Sequence, residues 1–231
     1  PYKVEMVYYD DKSEAPTSAK LVEKLITEDK VNMLLGPYSS PITVTTSTIA
    51  EKYGYVMITP MANGEYVFER GLKNLFSVLP PASEALKPVP ELALKKDPSL
   101  KTYAAVFLDN AFTLPLGDGV RERSKELGLT ELYYGKYPGG TTDFSLILTA
   151  VKDKKPDIVY FGGFFNECVN FYRQAKQYDL NAKVWGMSAG PSQPDWLKVM
   201  GADGDFVVTN QFYSSKLDYK GTLFADTNAF N

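Results

Sequence analysis

The sequence predicts an α/β fold with parallel sheets arranged in two lobes. Three observations predict it. Short, almost wholly apolar runs such as Val106-Phe-Leu108 and Ile158-Val-Tyr-Phe161 alternate with longer stretches of helical spacing, which is the pattern of βαβ units. Runs that are apolar at every position fit strands covered by helices on both faces. The alternation halts once, at Leu79-Pro-Pro-Ala82, and then restarts.

The elements follow in order. Residues 4–9 form a β-rich run. Residues 13–30 carry Leu21, Val22, Leu25 and Ile26 at helical spacing. Residues 31–35 read as a strand ended by Gly36-Pro37, and 41–53 as a helix stopped by Gly54. Residues 55–58 are a strand closed by Thr59-Pro60, and 74–79 a strand closed by Pro80-Pro81. In the second series, 83–96 is a helix that Pro88 and Pro90 cap or kink. Strands are expected at 103–108, 131–137, 158–161, 183–187 and 206–212. Helices are expected at 116–127, 143–152, 167–178 and 195–200. The pattern weakens beyond Tyr213.

Composition narrows the function. Of 231 residues, 44% are apolar, enough for a core without metal or disulfide staples. The net charge of −3, with scattered Lys and Arg, argues against a nucleic-acid surface. Without histidine and with one cysteine, a Ser-His-Asp triad and a Cys-His dyad are impossible, and a zinc site is not expected. Phosphate-cradling glycine loops are missing, and no metal or cofactor is expected. Cys168 reads as an inert core thiol. No stretch is long and apolar enough to span a membrane. Sixteen Tyr and 13 Phe exceed ordinary core needs and suit a pocket enclosing a small ligand.

In open parallel sheets ligands bind beyond the carboxyl ends of the strands, so five strand ends become candidates. Tyr38, Ser39 and Ser40 lie in Leu35-Gly-Pro-Tyr-Ser-Ser-Pro-Ile42. There a serine caps the helix, Pro41 suits its first turn, and free N–H groups favour a carboxylate. Met61, Ala62 and Asn63 follow the next strand, although Asn63-Gly64 is also an ordinary turn pair. Asp109 and Phe112 follow residues 103–108. Phe164, Phe165 and Glu167 follow Gly162-Gly163, where paired glycines admit a close approach and two aromatics form a wall. Ser188 lies in Gly186-Met-Ser-Ala-Gly190. No spacing among these carboxylates specifies acid/base catalysis.

The set of segments resembles the leucine/isoleucine/valine-binding proteins, type I periplasmic binding proteins of ABC transporters. The matching stretches are Val7-Tyr-Tyr-Asp-Asp11, Leu34-Leu-Gly-Pro-Tyr-Ser-Ser40, Met57-Ile-Thr-Pro60, Asp157-Ile-Val-Tyr-Phe-Gly-Gly-Phe-Phe165 and Phe171-Tyr-Arg-Gln-Ala175. The resemblance implies two Rossmann-like lobes joined by a hinge: residues 1–80 with 213–231 returning, and 81–212. It implies a ligand carboxylate on Ser40 with Tyr38 and Ser39 beside it, and the same head group against Ala62 and Asn63. Phe112 and either Phe164 or Phe165 would be aromatic walls. Relatives often place an acid for the ligand ammonium where this sequence has Met187-Ser188-Ala189. The resemblance implies capture of a branched-chain or other hydrophobic amino acid between the lobes, with Asp109 or Glu167 substituting for that acid; the alternative is an aromatic or aliphatic carboxylate, or a small amide, without an amine.

The resemblance further implies an ABC-transporter permease as partner. It implies a periplasmic or extracellular location, with anchoring through a segment before Pro1. The family's first strand and helix precede Val4 and its chain continues past Asn231, so the first lobe is expected to be incomplete. A ligand-sensing receptor or regulator domain is the alternative of another class.

Overall fold

The computed structural model describes residues 3–212 together with Ser214, Leu217 and Lys220. The first lobe contains α1 (Ala15–Thr27), β1 (Leu34–Leu35), α2 (Ser40–Lys52), β2 (Met57–Thr59), α3 (Glu65–Phe68) and β3 (Leu75–Ser77). The second contains α4 (Pro88–Lys96), β4 (Thr102–Leu108), α5 (Thr113–Glu126), β5 (Thr130–Tyr137), α6 (Ser145–Lys154), β6 (Ile158–Gly162), α7 (Phe165–Gln177), β7 (Val184–Met187), α8 (Trp196–Met200) and β8 (Val207–Thr209). The sheets run β1-β2-β3 and β5-β4-β6-β7-β8, and every pairing is parallel. The α/β fold with parallel sheets is therefore as the sequence predicts.

Alternation along β4 explains the second lobe. Ala104, Val106 and Leu108 face one side and meet Phe161, Phe171, Leu148 and Trp185. Tyr103, Ala105 and Phe107 face the other and meet Leu86, Val89, Leu116 and Val120. Helices thus cover both faces, and every residue of β4 beyond Thr102 is buried. The first side is an aromatic stack. Phe161 and Phe171 lie 4.0 Å apart, Tyr172 meets Trp185 at 5.0 Å, and Trp196 lies 6.1 Å from Tyr172. Buried Cys168 belongs here; burial pushes its thiol up to about 12.

Among the described residues, the first sheet is covered on one face only. Val22, Ile26, Ala50 and Val67 pack over Leu34, Met57 and Leu75. On its other face Leu35 and Phe76 are exposed, with Met33 and Val78 beside them.

Three sequence expectations are corrected, and one short helix, α3, is added to them. Residues 4–9 form no strand; Val4 and Tyr8 are exposed, and a strand needs a partner ladder as well as propensity. The helix at 83–96 is divided into a 3-10 turn (Ala82–Glu84) and α4, because Pro88 has no N–H to continue the preceding turn yet fits the start of a new helix. Four-residue α3 is too short to show a period. The last strand shrinks from 206–212 to Val207–Thr209, which places Asn210, Gln211 and Phe212 in the loop after it. The expected return of 213–231 to the first lobe lies outside the described residues, apart from Ser214, Leu217 and Lys220.

Candidate functional site

Strand ends from both lobes converge on a cavity of about 310 Å³. The first lobe contributes Tyr38, Ser39, Ser40, Met61, Asn63 and Leu79; the second contributes Phe112, Phe164, Ala189, Ser192 and Gln193, with Asn210 to Phe212 closing the ring. Ser40 and Asn63 are the most buried of these, at 1% and 2% exposure, and form the floor. Tyr38, Met61, Gln193 and Gln211 are exposed and form the rim.

The floor is built by a local turn and a long-range bond. After β1 the chain turns at Gly36, whose φ of 115° is open chiefly to glycine, followed by a cis Gly36–Pro37 bond. Ser39 then caps α2: its hydroxyl accepts from the Ile42 N–H at 3.4 Å. Ser40 Oγ accepts from two backbone N–H groups of the next strand end, Asn63 at 3.2 Å and Gly64 at 3.1 Å. Both lone pairs are so used, and the hydroxyl proton is left to donate.

Asn63 donates Nδ2–H to the Pro80 carbonyl at 2.9 Å, and its main-chain carbonyl accepts from Ala82 N–H at 2.9 Å. The loop is thereby tied to the crossing between lobes. Asn63 Oδ1 is buried without a hydrogen-bond partner among the described residues. The aromatic wall is the stacked pair Phe112 and Phe164, 5.8 Å apart with planes at 24°. Phe112 is set by the loop ahead of α5, where Asn110 Oδ1 accepts from the N–H groups of Phe112 and Thr113, each at 2.9 Å. Tyr38 faces the wall from the first lobe.

Seven of the twelve residues singled out in the sequence line this cavity: Tyr38, Ser39, Ser40, Met61, Asn63, Phe112 and Phe164. The other five lie elsewhere. Ala62 is buried, with its carbonyl accepting from Thr59 and Ser77 hydroxyls. Phe165 borders an adjoining hollow of about 270 Å³, shared with Tyr38 and Phe164. Asp109 lines a separate groove of about 860 Å³ with Glu65, Glu69 and Glu122. Glu167, in the first turn of α7, lines none of these three hollows. Ser188 is fully buried; its hydroxyl accepts from Gly163 N–H at 2.9 Å and donates to the Gly163 carbonyl at 2.6 Å.

Among the described residues, the cavity lining therefore has no carboxylate and no cationic side chain. Asp195 borders the adjoining hollow and is paired with Lys198 at 2.8 Å. Such a lining offers hydroxyl and amide dipoles and ring faces, and it has no group able to neutralise a ligand ammonium. Sequence reasoning missed Leu79, Ala189, Ser192, Gln193 and Asn210 to Phe212. Asn210 to Phe212 were hidden inside the strand expected at 206–212 and become strand-end residues only because β8 stops at Thr209; Gln193 had no signal.

The whole architecture has a counterpart among known proteins. The family model of the periplasmic binding proteins matches residues 2–229, and the chain belongs to that family. It is 27% identical over 216 residues to the Leu/Ile/Val-binding protein BraC3 of Rhizobium johnstonii, covering 93% of this chain and 58% of that one. The solved leucine binding protein LivK of Thermotoga maritima superposes with a TM-score of 0.81 at 24% identity, over 93% of this chain and 60% of that one. A solute binding protein of an ABC transporter from Rhodopseudomonas palustris, in complex with 3,4-dihydroxybenzoic acid, also gives 0.81, at 22% identity over 99% and 61%. The chain thus spans a little over half the length of these relatives.

Proposed function

We propose that the chain is part of an extracytoplasmic solute-binding protein that delivers its ligand to an ABC-transporter permease and transforms nothing. Its two lobes, residues 1–80 joined by 213–231, and 81–212, would close about a hinge, with the ligand bridging them. The ligand best matched to the cavity is a small hydrophobic carboxylate without an amine, an aromatic acid above all. One observation carries this reading: among the described residues, the lining combines a hydroxyl floor and an aromatic wall with no charged side chain. A carboxylate can accept from Ser40 and from the amino end of α2. Its ring lies against Phe112 and Phe164. An ammonium in the same place would be desolvated without a counter-charge, which is costly.

The second reading is a branched-chain or other hydrophobic amino acid. It is favoured by the names of the relatives, such as the Leu/Ile/Val-binding protein of Rhizobium johnstonii. Asp109 or Glu167 would have to move to the cavity to serve it.

A thermal-shift panel separates the two. It pairs leucine and phenylalanine with their deaminated acids and adds benzoate and 3,4-dihydroxybenzoate. A solute at 100 times its dissociation constant adds about 2.7 kcal/mol, a rise of several degrees. The expected result is a rise with the acids that exceeds the rise with the matching amino acids. The reverse order would assign the amino-acid reading instead. Flat melting temperatures across the panel would remove both.

A further inference from the structure

We infer that Gly64 is a positioning residue whose missing β-carbon lets the two lobes reach the spacing they have across the cavity. The inference rests on the reading of the lobes as bodies that close on a solute. Gly64 has φ −66° and ψ 125°, a conformation any residue adopts. Backbone freedom therefore does not call for glycine here; space does. A β-carbon at Gly64 would overlap the carbonyl oxygen of Ala111, lie 2.9 Å from its carbonyl carbon and 3.3 Å from Ser40 Oγ. The first two obstacles are main-chain atoms of the other lobe, which no rotamer change removes.

Both sides of the contact are pinned. On the first lobe, Gly64 N–H is held by Ser40 Oγ, and the preceding carbonyl by Ala82 N–H. On the second, Asn110 Oδ1 fixes the loop by accepting from Phe112 and Thr113 N–H, and Ala111 itself packs against the first-lobe core. With neither loop able to yield, an added methyl is relieved by moving the lobes apart. The residues beside the contact are Asn63 on one side and Phe112 on the other, the floor and the wall. Their separation is what Gly64 sets.

The test measures lobe spacing directly, by electron–electron distance spectroscopy with spin labels on Lys20→Cys and Lys136→Cys. These are exposed positions, one in each lobe, and Cys168 is sealed in the core. Gly64→Ala is expected to give a longer mean distance than the parent and an affinity for 3,4-dihydroxybenzoate lower by about tenfold, because the closed state is less populated. Gly139→Ala, where a β-carbon meets nothing within 4 Å, is expected to change neither. Adding Asn110→Ala to Gly64→Ala frees the Ala111 loop and is expected to restore the distance, and the fold should the single variant lose it. An unchanged distance in Gly64→Ala overturns the inference, as does a double variant with no recovery. A parent whose distance ignores every solute in the panel sinks the capture reading, and the Gly64→Ala distance remains readable on its own.

Discussion

Ser39 and Ser40 are neighbours in the chain with separate structural roles. Ser39 caps α2 through a long hydrogen bond, so Ser39→Ala is expected to cost no more than about 1 kcal/mol. Ser40 is the acceptor for two buried N–H groups, and Ser40→Ala leaves both without a partner. Its expected cost is about 2–3 kcal/mol, seen as a lower urea midpoint with an unchanged slope. Equal costs for the two variants would show that the Ser40 bonds add nothing to the fold. The cap was legible in the sequence because its partner is three residues away. The partners of Ser40 are 23 and 24 residues away, and no local pattern announces them. Ser188 shows the same limit: its hydroxyl is spent on Gly163, 25 residues distant.

At the scale of elements, the βα alternation of the second series was readable almost strand for strand. Its strands are buried on both faces, so burial writes itself into continuous apolar runs. Boundaries set by a single backbone group were harder. Pro88 ends one turn and opens the next helix, and the β-rich run at 4–9 has propensity without a partner ladder. Helix ends also offer a direct test. Lys155 terminates α6 at φ 50° and ψ 55°, the left-handed region that penalises a β-carbon. Lys155→Gly is expected to stabilise the chain by about 0.5–1 kcal/mol, since relief of that strain outweighs the added freedom of the unfolded chain. A lower melting temperature in that variant would mean that the lysine side chain makes a larger contribution than its backbone strain.

For the molecule as a whole, the two sheets are unequal partners. Five strands with helices on both faces carry the larger core, whereas among the described residues the three short strands are covered on one face only. Hydrogen exchange is expected to be slowest in β4 and β6 and faster throughout β1 to β3. Equal protection of both sheets would instead mark one cooperative unit. The cavity belongs to this scale too. It gathers residues from Tyr38 to Phe212, so the sequence showed which strand ends to inspect and left their convergence to the tertiary fold. Gln193 and Gln211, polar and exposed, reach the rim only through that assembly. The aromatic stack has an optical consequence. Both tryptophans of the chain, Trp185 and Trp196, are buried in the second lobe beside Tyr172. Their emission will be blue-shifted and fed by energy transfer from nearby tyrosines. It will report the melting of one half of the molecule, so loss of the first lobe alone would pass without a change in colour.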